Sequence, residues 1–126
     1  MEGTFDGIIL REVAEHIPRE AFFGYLEKIH ELLNPGGVLV LSTPNPLSPQ
    51  FWTDYTHVSP WPMHDMYSVL KTYGFDKVRI YRIIWPSKYL WIKKLYWTFH
   101  ARMYHVDFAG AYVAIADKPL QPVVAA

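Results

Sequence analysis

LLNPGGVLVLSTPN, residues 32–45, sets the end of a helix, a glycine turn and an unbroken apolar strand in immediate succession. Asn34, Pro35, Gly36 and Gly37 are residue types that stop a helix. Val38 to Thr43 shows no alternation of apolar and polar residues, which is the pattern of a strand buried on both faces of a parallel sheet. Upstream, Phe22, Leu26, Ile29 and Leu33 recur at helical spacing after Pro18, with Lys28 and Glu31 turned outward, so an amphipathic helix precedes the turn. Phe5 to Leu10, before that helix, is another short apolar run without alternation, which also suits a strand buried on both faces. Strand, helix and strand in this order make a right-handed βαβ crossover with parallel strands.

Downstream, Pro44 to Pro62 carries five prolines and reads as a long ordered loop at the carboxyl end of the second strand, where open α/β sheets bind ligands. Met66, Val69, Leu70 and Tyr73 mark a second helix over Met63 to Tyr73, closed by Gly74. Lys77 to Ile84 alternates like a strand, and Ala111 to Ala116 is the last strand. Between them, Trp85 to His105 is aromatic, basic and helical in pattern, with Ile92, Leu95, Tyr96, Phe99 and Met103 on one face and Lys93, Lys94 and Arg102 largely elsewhere. Such a helix usually packs inward, so core cover or a dimer contact is expected; the alternative is a membrane surface, which would bring a lipid-linked or glycolipid acceptor with it. The expected organisation is one domain over 1–117, with an aromatic and basic insertion at about 85–105 and a flexible tail at 118–126.

The chain has 126 residues, 51% hydrophobic and 19% charged, a globular balance that excludes a disordered binder. Twelve basic and twelve acidic residues cancel, so no broad positive field advertises nucleic-acid binding, and no specific nucleic acid is expected. With no cysteine, disulfides and thiolate metal sites are excluded. The opening MEGTFDGIIL lacks the basic region of a signal peptide and the length of a membrane span, which makes the cytoplasm the expected location.

FDGIILREVAEHI, then a helix, then LLNPGGVLVLSTPN, then a helix ending in YGF, resembles the second half of the class I S-adenosylmethionine-dependent methyltransferases of the type 11 and type 23 groups. The match runs from Phe5 to about Ile84. The resemblance implies an α/β fold: a truncated Rossmann-like sheet of about four strands, a parallel pair plus an antiparallel closing strand between its neighbours, with flanking helices. It also implies methyl transfer, to a small-molecule, glycan or lipid-type hydroxyl in the intact family. The family's G-x-G-x-G cofactor turn is not among the seven glycines here, and the acidic residue that holds the ribose is missing too. Of the family's cofactor contacts only Leu10, Arg11 and Glu12 remain, so this stretch alone is expected to bind S-adenosylmethionine weakly or not at all and to be inactive. Its first strand is expected to leave an open edge, favouring a homodimer through that edge or through the aromatic segment, or pairing with a complementing N-terminal half. The alternatives are a non-catalytic oligomerisation or binding module derived from the same fold, and a metal- or membrane-surface-binding half-domain.

Glu12, Glu15 and His16 stand at i, i+3 and i+4, a spacing that groups two carboxylates and an imidazole on a helical turn. His57, from the proline-rich loop, is placed to join them as ligands of a divalent cation. The pattern resembles the small-RNA 3′-terminal ribose 2′-O-methyltransferases and the ubiquinone-pathway O-methyltransferases, whose metal orients a substrate hydroxyl pair. Oxygen ligands favour magnesium or manganese; two histidines move the choice toward manganese, iron, cobalt or zinc. The structural alternative has Glu15 and His16 capping and packing their turn. Without metal, His57 or His64 would be the general base for an acceptor hydroxyl, with Asp54 and Tyr55 lining the pocket. His30 and His100 are expected to be solvated or satisfied within the core.

Overall fold

β1 (Phe5–Arg11) and β2 (Leu33–Pro44) run parallel, joined by α1 (Arg19–Leu32), in a computed structural model that describes residues 4–84, 90–104, 107 and 109–120. α2 (Met63–Thr72), β3 (Asp76–Ile83), α3 (Leu90–Tyr104) and β4 (Ala111–Asp117) follow. The sheet order is β1-β2-β4-β3, with β4 antiparallel to both neighbours. This is part of a Rossmann-like α/β sheet, with the closing strand inserted as expected.

α1 and α2 lie on one face of the sheet. Phe22 and Leu26 of α1 and Met66 and Leu70 of α2 meet Leu39 and Leu41 of β2 and Tyr112, Ala114 and Ala116 of β4, all fully buried. Each large apolar side chain so enclosed contributes about 1.5–3 kcal/mol, and the two β4 alanines leave room for helices to approach. Gly74 (φ +88°) ends α2 in a Schellman motif: the Gly74 amide donates to the Lys71 carbonyl at 3.2 Å and the Phe75 amide to the Leu70 carbonyl at 3.1 Å.

Three sequence expectations change. β1 and β2 are buried on one face rather than two: Val38 and Val40 are half-buried and Ile9 is 74% exposed, because no described helix covers the second face. Leu33 is the first residue of β2 and not the last of the helix, since its backbone is already extended (φ −76°, ψ 137°). The Asn34–Gly37 turn is therefore enclosed within the β1–β2 pairing, whose register shifts between Phe5 and Gly7. α3 does not cover the core; Leu95 is 74% and Phe99 59% exposed.

Lys118, assigned by sequence to the tail, is tied down. Its amide donates to the Gly37 carbonyl at 2.8 Å, and its Nζ donates to the His30 and Leu33 carbonyls at 2.6 and 2.7 Å, capping the C-terminus of α1 with a cation. Of the other expectations, the tail residues 121–126 and Trp85, Lys88, Tyr89 and His105 of the aromatic segment lie outside the described residues.

Candidate functional site

The site lies where β1 and β2 end side by side. Leu10 is half-buried and Arg11 exposed, and Glu12 takes a left-handed backbone (φ 52°) that lifts the chain off β1. The Glu12 carboxylate accepts from the Ser42 hydroxyl at 3.0 Å. A single 3-10 turn then spans Ala14–His16. Glu12 precedes that turn, so the expected grouping of three residues on one helical turn does not form; the left-handed residue breaks the spacing.

Glu15 is fully buried. Its Oε2 accepts from Thr43 Oγ1 at 2.9 Å, while Oε1 has no hydrogen-bond donor and faces His16 Nε2 at 3.6 Å. Burial pushes the Glu15 carboxyl above its ordinary value, partly offset by its hydrogen bonds.

The proline-rich loop is held onto this turn along much of its length. The amides of Val58 and Ser59 donate to the Glu15 carbonyl at 2.8 and 3.0 Å, Ser59 Oγ to the Ile17 carbonyl at 2.7 Å, and Trp61 Nε1 to the Ala14 carbonyl at 3.2 Å. At its start, buried Asn45 donates through Nδ2 to the Ala109 carbonyl at 3.1 Å, and its amide to Gly110 at 3.0 Å. At its end, Tyr112 donates to the Trp61 carbonyl at 2.7 Å, and Arg19 stacks over the Trp61 ring at 4.6 Å.

This strapping sets the His16 and His57 rings 5.1 Å apart. His16 Nδ1 meets the Thr56 carbonyl at 3.1 Å, and His57 Nδ1 meets the Phe51 carbonyl at 2.8 Å. A carbonyl only accepts, so each Nδ1 carries a hydrogen, and the tautomer this selects has its lone pair at Nε2. Asp54 accepts from the Thr56 amide and hydroxyl at 2.9 and 2.6 Å, which hold its carboxyl below the usual range, and it lies 3.6 Å from His57 Nε2.

One donor atom each from Glu15, His16 and His57 falls within 4.8 Å of the others. A buried carboxylate oxygen without a donor and two imidazoles whose Nδ1 hydrogens are committed to backbone carbonyls fit a divalent cation, because outer-shell bonds of this kind fix ligating tautomers. Of the sequence candidates, the structure brings these three together. Glu12 pairs with Ser42 instead, His64 is exposed on the first turn of α2, and Tyr55 is 96% exposed. His30 is half-buried, edge-on to Phe75 at 5.2 Å. Sequence reasoning missed Thr43, Asn45, Trp61 and Tyr112; the Thr-Pro-Asn triplet was the available signal for the first two.

The model of the methyltransferase domain family matches residues 1–80. No curated protein matches the chain significantly. In fold the chain is similar to a SAM-dependent methyltransferase from Archaeoglobus fulgidus (TM-score 0.75, 20% identity, 93% of this chain and 61% of that one). It is also similar to 1,6-didemethyltoxoflavin-N1-methyltransferase of Burkholderia thailandensis, solved with S-adenosylhomocysteine (0.62, 20%, 94% and 46%). A third similar structure is phosphoethanolamine N-methyltransferase 2 of Haemonchus contortus, solved with S-adenosyl-L-methionine (0.61, 14%, 91% and 33%). The chain thus spans less than two thirds of the length of each.

Proposed function

Because the chain belongs to the methyltransferase domain family, we propose that it supplies the acceptor side of an S-adenosylmethionine-dependent methyl transfer to a hydroxyl, held at Glu15, His16 and His57. The observation that carries this reading is the convergence of an undonated Glu15 oxygen with two imidazoles whose lone pairs are left at Nε2.

Leu10, Arg11 and Glu12, at the carboxyl end of β1, are the residues placed to meet the cofactor, as in other open α/β sheets. S-adenosylmethionine, when bound, supplies a methyl group on a positively charged sulfur. With no metal bound, His57 Nε2 would take the proton of the acceptor hydroxyl as the new oxygen–carbon bond forms and the carbon–sulfur bond breaks, its electron pair leaving on the now neutral sulfur. The Asp54 carboxylate, 3.6 Å away, would stabilise the imidazolium. His57 rather than His64 is assigned this role, since His64 stands apart from the cluster. That is the metal-free form of the site. A divalent cation on Glu15, His16 and His57 would instead engage the same Nε2 lone pair, so His57 would then be a ligand and not the base. The cation would lower the pKa of the hydroxyl, with manganese, iron, cobalt or zinc suiting this donor set better than magnesium.

The G-x-G-x-G turn is not in these 126 residues, so cofactor binding and turnover require a segment that carries it. The outer edge of β1, unpaired among the described residues, is where such a segment, or a second copy of this chain, would pair. The missing turn also favours a second reading, a non-catalytic binding module. Calorimetry with S-adenosylmethionine separates the two: the 126 residues alone give no heat, and adding a glycine-rich N-terminal half restores binding only if the chain serves an enzyme. In the restored complex His57→Ala is expected to keep cofactor binding and lose methyl transfer; transfer at the wild-type rate would overturn the assignment.

A further inference from the structure

α3 has two unlike sides. Lys94, Trp97 and Ala101 turn toward the body of the domain, where they border Arg82, Ile84 and Ala109. Ile92, Leu95, Tyr96, Phe99 and Met103 lie on the opposite side along a shallow apolar groove, and all five are between 48% and 74% exposed. At 100° per residue these five occupy an arc of only about 100°.

We propose that α3 is a membrane-surface helix that lays this arc into the headgroup region of an anionic bilayer. Charge decides the occupant. The helix holds Lys93, Lys94 and Arg102 and no acidic residue, in a chain whose basic and acidic residues balance only when these three are counted. Lys93 and Arg102 flank the apolar arc on its two sides, where their alkyl stems lie along the buried face while their charges meet lipid phosphates. Exposed Trp91 and Tyr104 are the amphipathic aromatic types favoured at a bilayer interface. A second copy of α3 fits poorly, since a twofold contact would set these like-charged rims against each other. The helix lies on the bilayer and does not cross it: fifteen residues span about 22 Å, against a hydrocarbon core of about 30 Å, and no described helix is long and apolar enough to cross. This inference is independent of the methyl-transfer reading, as it concerns another surface and its test reads no activity.

The test is co-sedimentation of the full chain with vesicles of phosphatidylcholine containing about one third phosphatidylglycerol, against pure phosphatidylcholine. Binding to the anionic vesicles is expected to be at least about tenfold stronger and to weaken as salt is raised toward about 0.5 M. Leu95→Glu with Phe99→Glu should abolish binding, and Lys93→Gln should lower it about fivefold. All three positions are exposed, so far-UV circular dichroism should be unchanged. The proposal is overturned by no sedimentation with anionic vesicles, by equal binding to both vesicle types, or by wild-type binding of the double variant. It also falls if that variant merely turns a lipid-free dimer into a monomer, which would make the face a contact between copies.

Discussion

Glu15 and Thr43 stand 28 residues apart in sequence and 2.9 Å apart in space, so the carboxylate at the mouth of the sheet is held by the end of the neighbouring strand. That hydrogen bond serves Oε2 alone, and Oε1 remains without a donor.

Burial raises the Glu15 carboxyl above its ordinary value, so the native state holds that proton more tightly than the unfolded chain does. Stability is then lost as pH rises from the unfolded value to the folded one. Glu15→Gln removes the loss and should raise stability near neutral pH, with no such gain in acid below the ordinary carboxylate range. Thermal melts at both pH values check this; an equal shift at each would exclude Glu15 titration as the cause.

Manganese should be retained after desalting at neutral pH and released on acidification, because its ligands must be deprotonated. His16→Ala and His57→Ala are each expected to weaken retention at least about tenfold. Glu12→Gln and His64→Ala should leave it unchanged, since Glu12 pairs with Ser42 and His64 is remote from the cluster. Bound metal is read by elemental analysis, and loss of retention in the Glu12 variant would contradict the three-residue arrangement.

Tyr112 is buried, and its hydroxyl meets the Trp61 carbonyl at 2.7 Å. Tyr112→Phe leaves that enclosed carbonyl without its donor and should cost about 1–2 kcal/mol, a fall of roughly 4–8 °C in Tm. A melt indistinguishable from wild type would show that water replaces the phenol there.

Lys118→Met removes two charge-assisted bonds from the end of α1 and should cost about 2 kcal/mol. It also tests His30, whose pKa is lowered first by burial and then by the Lys118 charge. With a depressed folded value, His30 contributes stability that is present above its unfolded pKa and lost as pH falls through the folded one. NMR titration of Lys118→Met should show the His30 pKa moving back up; no movement would place the whole shift on burial.

The elements were legible because period and punctuation agreed: Phe22, Leu26 and Ile29 marked α1, and Gly74 closed α2. The site was legible in part. His16 and His57 could be paired from the topology of adjacent parallel strands, but the left-handed backbone at Glu12 is invisible to a spacing rule that presumes a helix. Thr43 could not be matched to Glu15 without register, and the hydropathy of α3 defined a face without saying what lies opposite it. Burial of the strands was overestimated for a related reason, because an apolar run states a preference while the layers present decide how much of it is met.

The insertion of β4 between β2 and β3 sets the order in which the sheet is completed during synthesis. Among the described residues β3 has no neighbour but β4, and β4 follows α3 as the last of these elements. As the chain leaves the ribosome from its N-terminus, β1, α1 and β2 can assemble early, whereas β3 waits as a lone strand until Ala111–Asp117 arrives to bridge it to β2. A stop codon before residue 111 would thus remove an interior strand rather than trim an edge, leaving the Leu39, Leu41 and Met66 surfaces without the strand that joins them.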